Sequence, residues 1–211
     1  MLAALLAGAS ASGVLVSTDA HASVSIAVAF DALVKDADSV GVVTPVESKS
    51  VWEEGRIYTY TRVKVEQSVA GELGTGSEGW VRTMGGVVGK IGQLVDGEPV
   101  FTANKSSLVF MRKFKTTGQW EVSARAQGQY PVVLSDSVTD TSRGRRVMRS
   151  GAVGVLLPPK SPSPTETVAA GPRLAGEVIH DRPLDDVTRE IATAWKKAHP
   201  VAVTAPSDAK K

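Results

Sequence analysis

Arg56-Ile57-Tyr58-Thr59-Tyr60-Thr61-Arg62-Val63-Lys64-Val65-Glu66-Gln67-Ser68-Val69-Ala70-Gly71 is the stretch that decides the fold. From Ile57 to Val65 it alternates with period two: Ile57, Thr59, Thr61, Val63 and Val65 fall on one face, Tyr58, Tyr60, Arg62, Lys64 and Glu66 on the other. Successive side chains of a β-strand point to opposite faces, and these residue types favour strands. The expected element is a long, half-buried antiparallel strand that organises a small sheet or barrel, with the Thr/Val side facing inward.

Shorter apolar runs on either side can pair with it. Val40 to Val46 reads as a short strand, with Pro45 at an edge or a bulge near its end. Glu47 to Gly55 is a polar turn. After Gly71 to Gly79 come Trp80 to Met84, Ser107 to Phe114 and Tyr130 to Leu134 as strands, with a turn at Asp96-Gly97 before Val100-Phe101. Gly118 leads into Trp120 to Ala126. Asp136 to Gly144 is a polar turn, after which Arg145 to Arg149 can return as a hairpin partner.

Helices flank this β region. Ile26, Phe30, Leu33, Val34 and Ala37 have helical spacing, so Ser23 to Asp38 is expected to be an amphipathic helix. Pro183 opens a second helix, with Leu184, Val187, Ile191, Trp195 and Ala198 on one stripe. Its early acids (Asp185, Asp186) and late bases (Lys196, Lys197) suit the helix dipole. The expected organisation is a signal peptide over 1–22, an OB-like β-barrel domain over 23–157, a Pro-rich linker over 158–176, a C-terminal docking helix within 177–199 and a tail over 200–211. The fold class is mainly β.

Composition narrows the chemistry. The chain has 211 residues, 42% apolar and 22% charged, the make-up of a globular protein. A net charge of +2 gives no reason to expect a nucleic-acid partner. With no cysteine there is no disulfide, thiolate metal site or cysteine nucleophile. Met1 to Val16 is apolar and Ala20-His21-Ala22 precedes Ser23, the pattern of a secretory signal cleaved after Ala22. The first basic residue is Lys35, so the expectation is either a signal that starts upstream of Met1, the favoured alternative, or an atypical one. The expected destination is periplasmic or secreted, and no later segment is long and apolar enough to span a membrane as a helix.

Specific chemical motifs fail. Gly89-Lys90 is followed by Ile91, and a Walker loop would need its first glycine where Met84 stands. Gly86, Gly89 and Gly92 lack the spacing of a dinucleotide fingerprint. Gly85, Gly86, Gly89 and Lys90 therefore form either a tight crossover at the barrel mouth or a loop that contacts a ligand. No metal-binding spacing involves His21, His180 or His199, and no G-x-S-x-G occurs. No catalytic residue, metal ligand or cofactor site is assigned. Candidate binding residues are that loop, the tyrosines Tyr58 and Tyr60 as a stacking platform or a cross-strand packing pair, and the basic cluster Arg143, Arg145 and Arg146 with Arg149. Asn104-Lys105-Ser106 is a glycosylation sequon.

Several of these runs resemble a group of uncharacterised exported bacterial proteins. The resemblance rests on Asp36-Ala37-Asp38-Ser39-Val40-Gly41-Val42-Val43, on Arg56 to Glu66, on Gly85 to Gly92, on Leu108-Val109-Phe110-Met111-Arg112 and on Ala126-Gln127-Gly128-Gln129-Tyr130. It implies a fold and no activity. More distantly, the order of helix, strand and Tyr-Thr strand is similar to the netrin-like OB barrel of tissue inhibitors of metalloproteinases. Those inhibitors use an N-terminal cysteine that this chain lacks. The leading expectation is an exported, non-catalytic β-barrel that binds a protein or polymer partner. A netrin-like protease inhibitor and a hydrolase with a spatially assembled carboxylate pair are the alternatives.

Overall fold

The structure is a computed structural model that describes residues 24–114, 116–135, 144–159 and 171–200. The expected signal peptide with Ser23, the residue Arg143, most of the proposed linker and the tail after Pro200 lie outside the described residues. In chain order the elements are Val24–Ile26 (β1), Phe30–Asp36 (α1), Ser39–Glu53 (β2), Arg56–Gly71 (β3), Glu78–Met84 (β4), Gly86–Val88 (β5) and Ile91–Gln93 (β6). Then follow Ser107–Lys113 (β7), Trp120–Val122 (β8), Gln129–Leu134 (β9), Arg145–Val147 (β10), Val155–Leu157 (β11), Ala175–Ile179 (α2), Arg182–Pro183 (β12) and Leu184–Ala198 (α3).

Five strands close a barrel. β2 pairs antiparallel with β3 and β3 with β4; β4 pairs parallel with β8; β8 pairs antiparallel with β7, and β7 returns to β2. Numbered by sequence among themselves, the barrel strands run 1-2-3-5-4 and back to 1, an OB-like order. The wall is therefore mixed and not wholly antiparallel, because the last strand enters between the third and fourth alongside the third. The decisive face is inward: Thr61 is 3% exposed, Val63 0% and Val65 1%. With Val43, Val81, Val109, Met111, Trp120 and Val122 they fill the barrel interior.

A second core lies outside the barrel wall. Phe30, Leu33 and Val34 of α1, Val178 and Ile179 of α2, and Leu184, Val187 and Ile191 of α3 pack on the outer face of Val40, Val42, Leu108 and Phe110. Trp195 and Ala198 complete the α3 stripe as partly buried members. The C-terminal helix thus docks on the barrel, as its apolar stripe requires.

Several boundaries differ from those expected. The N-terminal helix covers only Phe30–Asp36, because Val24–Ile26 pairs as a strand with β11. β2 continues through the polar stretch to Glu53, held by β3 up to a two-residue turn at Glu54-Gly55, where both residues have positive φ. Pro45 sits at a register shift, between Pro45 and Glu47, just past the end of the β7 pairing. The expected turn at Asp96-Gly97 is present. The C-terminal region holds two helices, α2 and α3, and Pro183 caps the second.

Gly71 closes β3 at φ +90°, and a Cβ there would collide with the backbone of Asp38 and Ser39. Gly71→Ala is expected to cost roughly 1–3 kcal/mol in chemical denaturation, whereas Gly74→Ala, which has open space, should stay within about 0.5 kcal/mol of wild type. Glu190 ties α3 down by accepting from Arg182 (2.6 Å) and Arg173 (2.8 Å). The Arg182 hydrogen bond holds the Glu190 carboxyl below the usual carboxylate range; burial opposes this and Arg173 adds to it. A lowered folded-state pKa contributes stability above the ordinary carboxylate value and loses it as pH falls through the folded value. Denaturation midpoints measured down the acid limb should therefore fall less steeply in Glu190→Gln than in wild type.

Candidate functional site

The site grows out of strand alternation. Val81, Met111 and Val122 point into the barrel, so their neighbours Arg82, Arg112 and Glu121 point out. Register then aligns them: Arg82 lies opposite Glu121 on one side, and Arg112 opposite Glu121 on the other. Three charges from three strands stand in one row.

Arg82 donates to Glu121 Oε1 through Nη2 (2.8 Å) and Nε (3.2 Å), while its guanidinium lies over the Tyr58 ring at 4.6 Å and the Phe114 ring at 5.2 Å. Burial alone would lower its pKa; hydrogen bonds to Glu121 and Tyr60 more than reverse that, so the net shift is upward and Arg82 is a fixed cation. Arg112 is held more loosely, 3.6 Å from Asp36 at the end of α1 and 4.0 Å from Glu121. Glu98 accepts from the Met84 N–H (3.0 Å) and faces Arg125 at 3.3 Å.

This row floors a cleft of about 820 Å³. Its opposite wall is the segment from Ser25 to Leu33, whose Ile26, Ala27, Val28, Ala29 and Ala32 supply apolar surface. Gln127 positions that wall: its Oε1 accepts from Val28 N (2.9 Å) and its Nε2 donates to Ile26 O (3.0 Å). The end wall carries two consecutive non-glycine residues in the left-handed region, Ala124 and Arg125, each at φ 54°. That conformation is unfavourable for side-chain-bearing residues and is held here by the Ala126 N–H to Gly97 O bond (2.9 Å).

The candidate residues read from sequence separate. Tyr58 lines the cleft, packed against Arg82. Tyr60 lies on the same face of β3, but its hydroxyl donates to the Glu53 carboxylate at 3.0 Å and it is not part of the lining. Gly85 and Gly86 pack against the barrel: the Gly85 N–H bonds Ile57 O at 2.8 Å, its carbonyl accepts from Thr59 Oγ1 at 2.7 Å, and a Cβ on Gly86 would strike Ser50 and Thr59. Gly89 and Lys90 form the tip of the β5–β6 hairpin. Arg145 and Arg146 sit on β10, with Arg146 bound to Asp181 at 2.9 Å. The structure therefore brings only Tyr58 of these to the cleft.

Sequence reasoning missed Asp36, Arg82, Glu98, Arg112, Glu121, Arg125 and Gln127. The signal available was a single charge between inward apolar residues, as in Val81-Arg82-Thr83 and Trp120-Glu121-Val122. Among the described residues no group of three or more His, Asp or Glu is placed to hold a metal ion. Comparisons with known protein families, curated proteins and solved structures returned no match, so what stands of the family resemblance is the mixed five-stranded barrel itself.

The Arg82 and Glu121 side chains are 16% and 20% exposed, which makes their pairing consequential. Glu121→Gln should cost about 1–3 kcal/mol by leaving two guanidinium groups short of a carboxylate. Adding Arg82→Met to that variant should recover part of the loss, a non-additivity that a double-mutant cycle in urea measures.

Proposed function

We propose that this protein is an exported binding module whose cleft receives a segment of a partner protein, without catalysis. The observation that carries the reading is the composition of the cleft: apolar side chains along one wall and a row of alternating charges along the other. A pocket of this size, mostly apolar with a few convergent polar groups, is the default binding site of a domain. A peptide segment suits it, because apolar side chains can lie against Ile26, Val28 and Ala32 while a carboxylate meets Arg112, the most loosely engaged of the arginines.

Fold-level analogy points the same way. OB-like barrels bind on the face of their second and third strands and with the loop between the fourth and fifth. Here that face presents Tyr58, Arg82 and Met84 to the cleft, and Phe114 of that loop lies under the Arg82 guanidinium without lining the cleft itself. The strained backbone at Ala124-Arg125 on the end wall is a further feature that accompanies ligand sites. Export, in this reading, follows from the Ala20-His21-Ala22 cleavage pattern.

The test is an NMR titration of the full chain with a pool of unstructured peptides bearing free C-terminal carboxylates. Shifts should concentrate at Ile26, Ala32, Met84, Ala124 and Arg125. Ala32→Trp, on an exposed helix position facing the cleft, should weaken binding at least about tenfold without unfolding the domain. Shifts confined to the β5–β6 hairpin or to β10 would move the site elsewhere and end this reading.

A further inference from the structure

β2 outruns its neighbour on one side. β7 pairs with it only from Ser39 to Val43, whereas β3 stays paired to Glu53. Among the described residues no strand lies on the other side of β2 beyond Pro45. Val46, Glu47, Ser48 and Lys49 are all exposed, a run that breaks the alternation of a covered strand.

The direction of the free backbone groups can be fixed. Ile57, opposite Trp52, sends its N–H to Gln93 Oε1 (2.7 Å) and its carbonyl to the Gly85 N–H (2.8 Å), both away from β2. Trp52–Ile57 is therefore a non-hydrogen-bonded pair of the antiparallel ladder, and alternation makes Ser50–Thr59 and Ser48–Thr61 the same. The N–H and C=O groups of Ser48, Ser50 and Trp52 point out along the open edge.

Charge then selects what can pair there. Glu47 and Lys49 flank Ser48 and share the outer face with Arg62 and Tyr60. We propose that two copies of this chain join through the Val46–Ser50 edge of β2, antiparallel, about a two-fold axis at Ser48. Ser48 then exchanges both backbone hydrogen bonds with its counterpart. Glu47 faces Lys49 of the second copy and Lys49 faces Glu47, which gives two opposite-charge cross-strand pairs. Within one copy Glu47 bonds Arg62 (2.9 Å) and Lys49 lies over the Trp80 ring, so the joint adds a second partner to each; centring it on Ser50 instead sets Lys49 against Val51 and Glu47 against Glu53, and no opposite-charge pair forms across it.

The edge carries devices that discourage unrelated strands: Pro45, the register shift beside it and the lysine itself. A second copy meets that lysine with a carboxylate, so the same features act as a selectivity filter for self. The row that floors the cleft is on β4, β8 and β7, away from the Val46–Ser50 edge, so the joint is independent of the binding reading above.

Sedimentation equilibrium of the full chain, from low micromolar to submillimolar, tests this. Wild type should show a monomer–dimer equilibrium. Glu47→Lys or Lys49→Glu alone should raise the dissociation constant at least about tenfold, and the two together should restore it. Ser48→Pro should abolish the dimer while keeping the circular dichroism of the fold, since the Ser48 N–H is not used inside the β2–β3 ladder. If Ser48→Pro unfolds, the charge-swap series decides alone. A wild-type monomer throughout the range, or a dimer indifferent to the charge swaps, overturns the proposal.

Discussion

The helical layer outside the barrel depends on two strands that are buried on both faces. Ser39 to Val43 of β2 and Ser107 to Met111 of β7 are buried at every position. One face of this pair closes the barrel through Val43, Val109 and Met111; the other carries the helices through Val40, Val42, Leu108 and Phe110. Strand alternation lets each of the two serve both cores, and the register shifts at Val40/Gly41 and Val42/Val43 lie in the pairing of β2 with β3. Gly41 belongs to the same arrangement, since a Cβ there would sit 3.0 Å from Gln67 O and 3.4 Å from Val65. Each fully buried aliphatic or aromatic side chain at this double interface contributes about 1.5–3 kcal/mol, so helices and barrel stabilise one another.

The cleft follows from the same packing. α1 is anchored on the outer face of β2 and β7 and ends at Asp36, which reaches Arg112 on β7. The segment before α1 is therefore held out over β4 and β8 and is fixed there by Gln127. Because β8 is short and lies between β4 and β7, the outward side chains of three strands meet at Glu121. Glu121, bonded to Arg82 on one side and facing Arg112 on the other, ties the outward charges of the three strands together.

What could be read from the sequence was whatever had a local period. The Ile57–Val65 alternation is visible because β3 is wet on one face only, and the α3 stripe because helix spacing is strict. The extension of β2 through Glu47 to Glu53 was not legible, since those polar residues are strand only by virtue of β3 beside them. The N-terminal helix was drawn too long for a related reason: Val24–Ile26 takes its conformation from β11, far along the chain. The cleft residues were illegible as a set, because each is a lone charge whose neighbours in space come from register and not from spacing. The glycine run is unusual in composition, yet its first two glycines serve close backbone approach.

The pairing of β1 with β11 sets a timetable for biosynthesis. Val24–Ile26 must wait for Val155–Leu157 to leave the ribosome before its ladder can form, an interval on the order of ten seconds at ordinary translation speeds. During that interval one wall of the cleft has no anchor on that side. The cleft wall is thus anchored after the barrel strands have been made, and α2 and α3, later still in the chain, complete the outer core last.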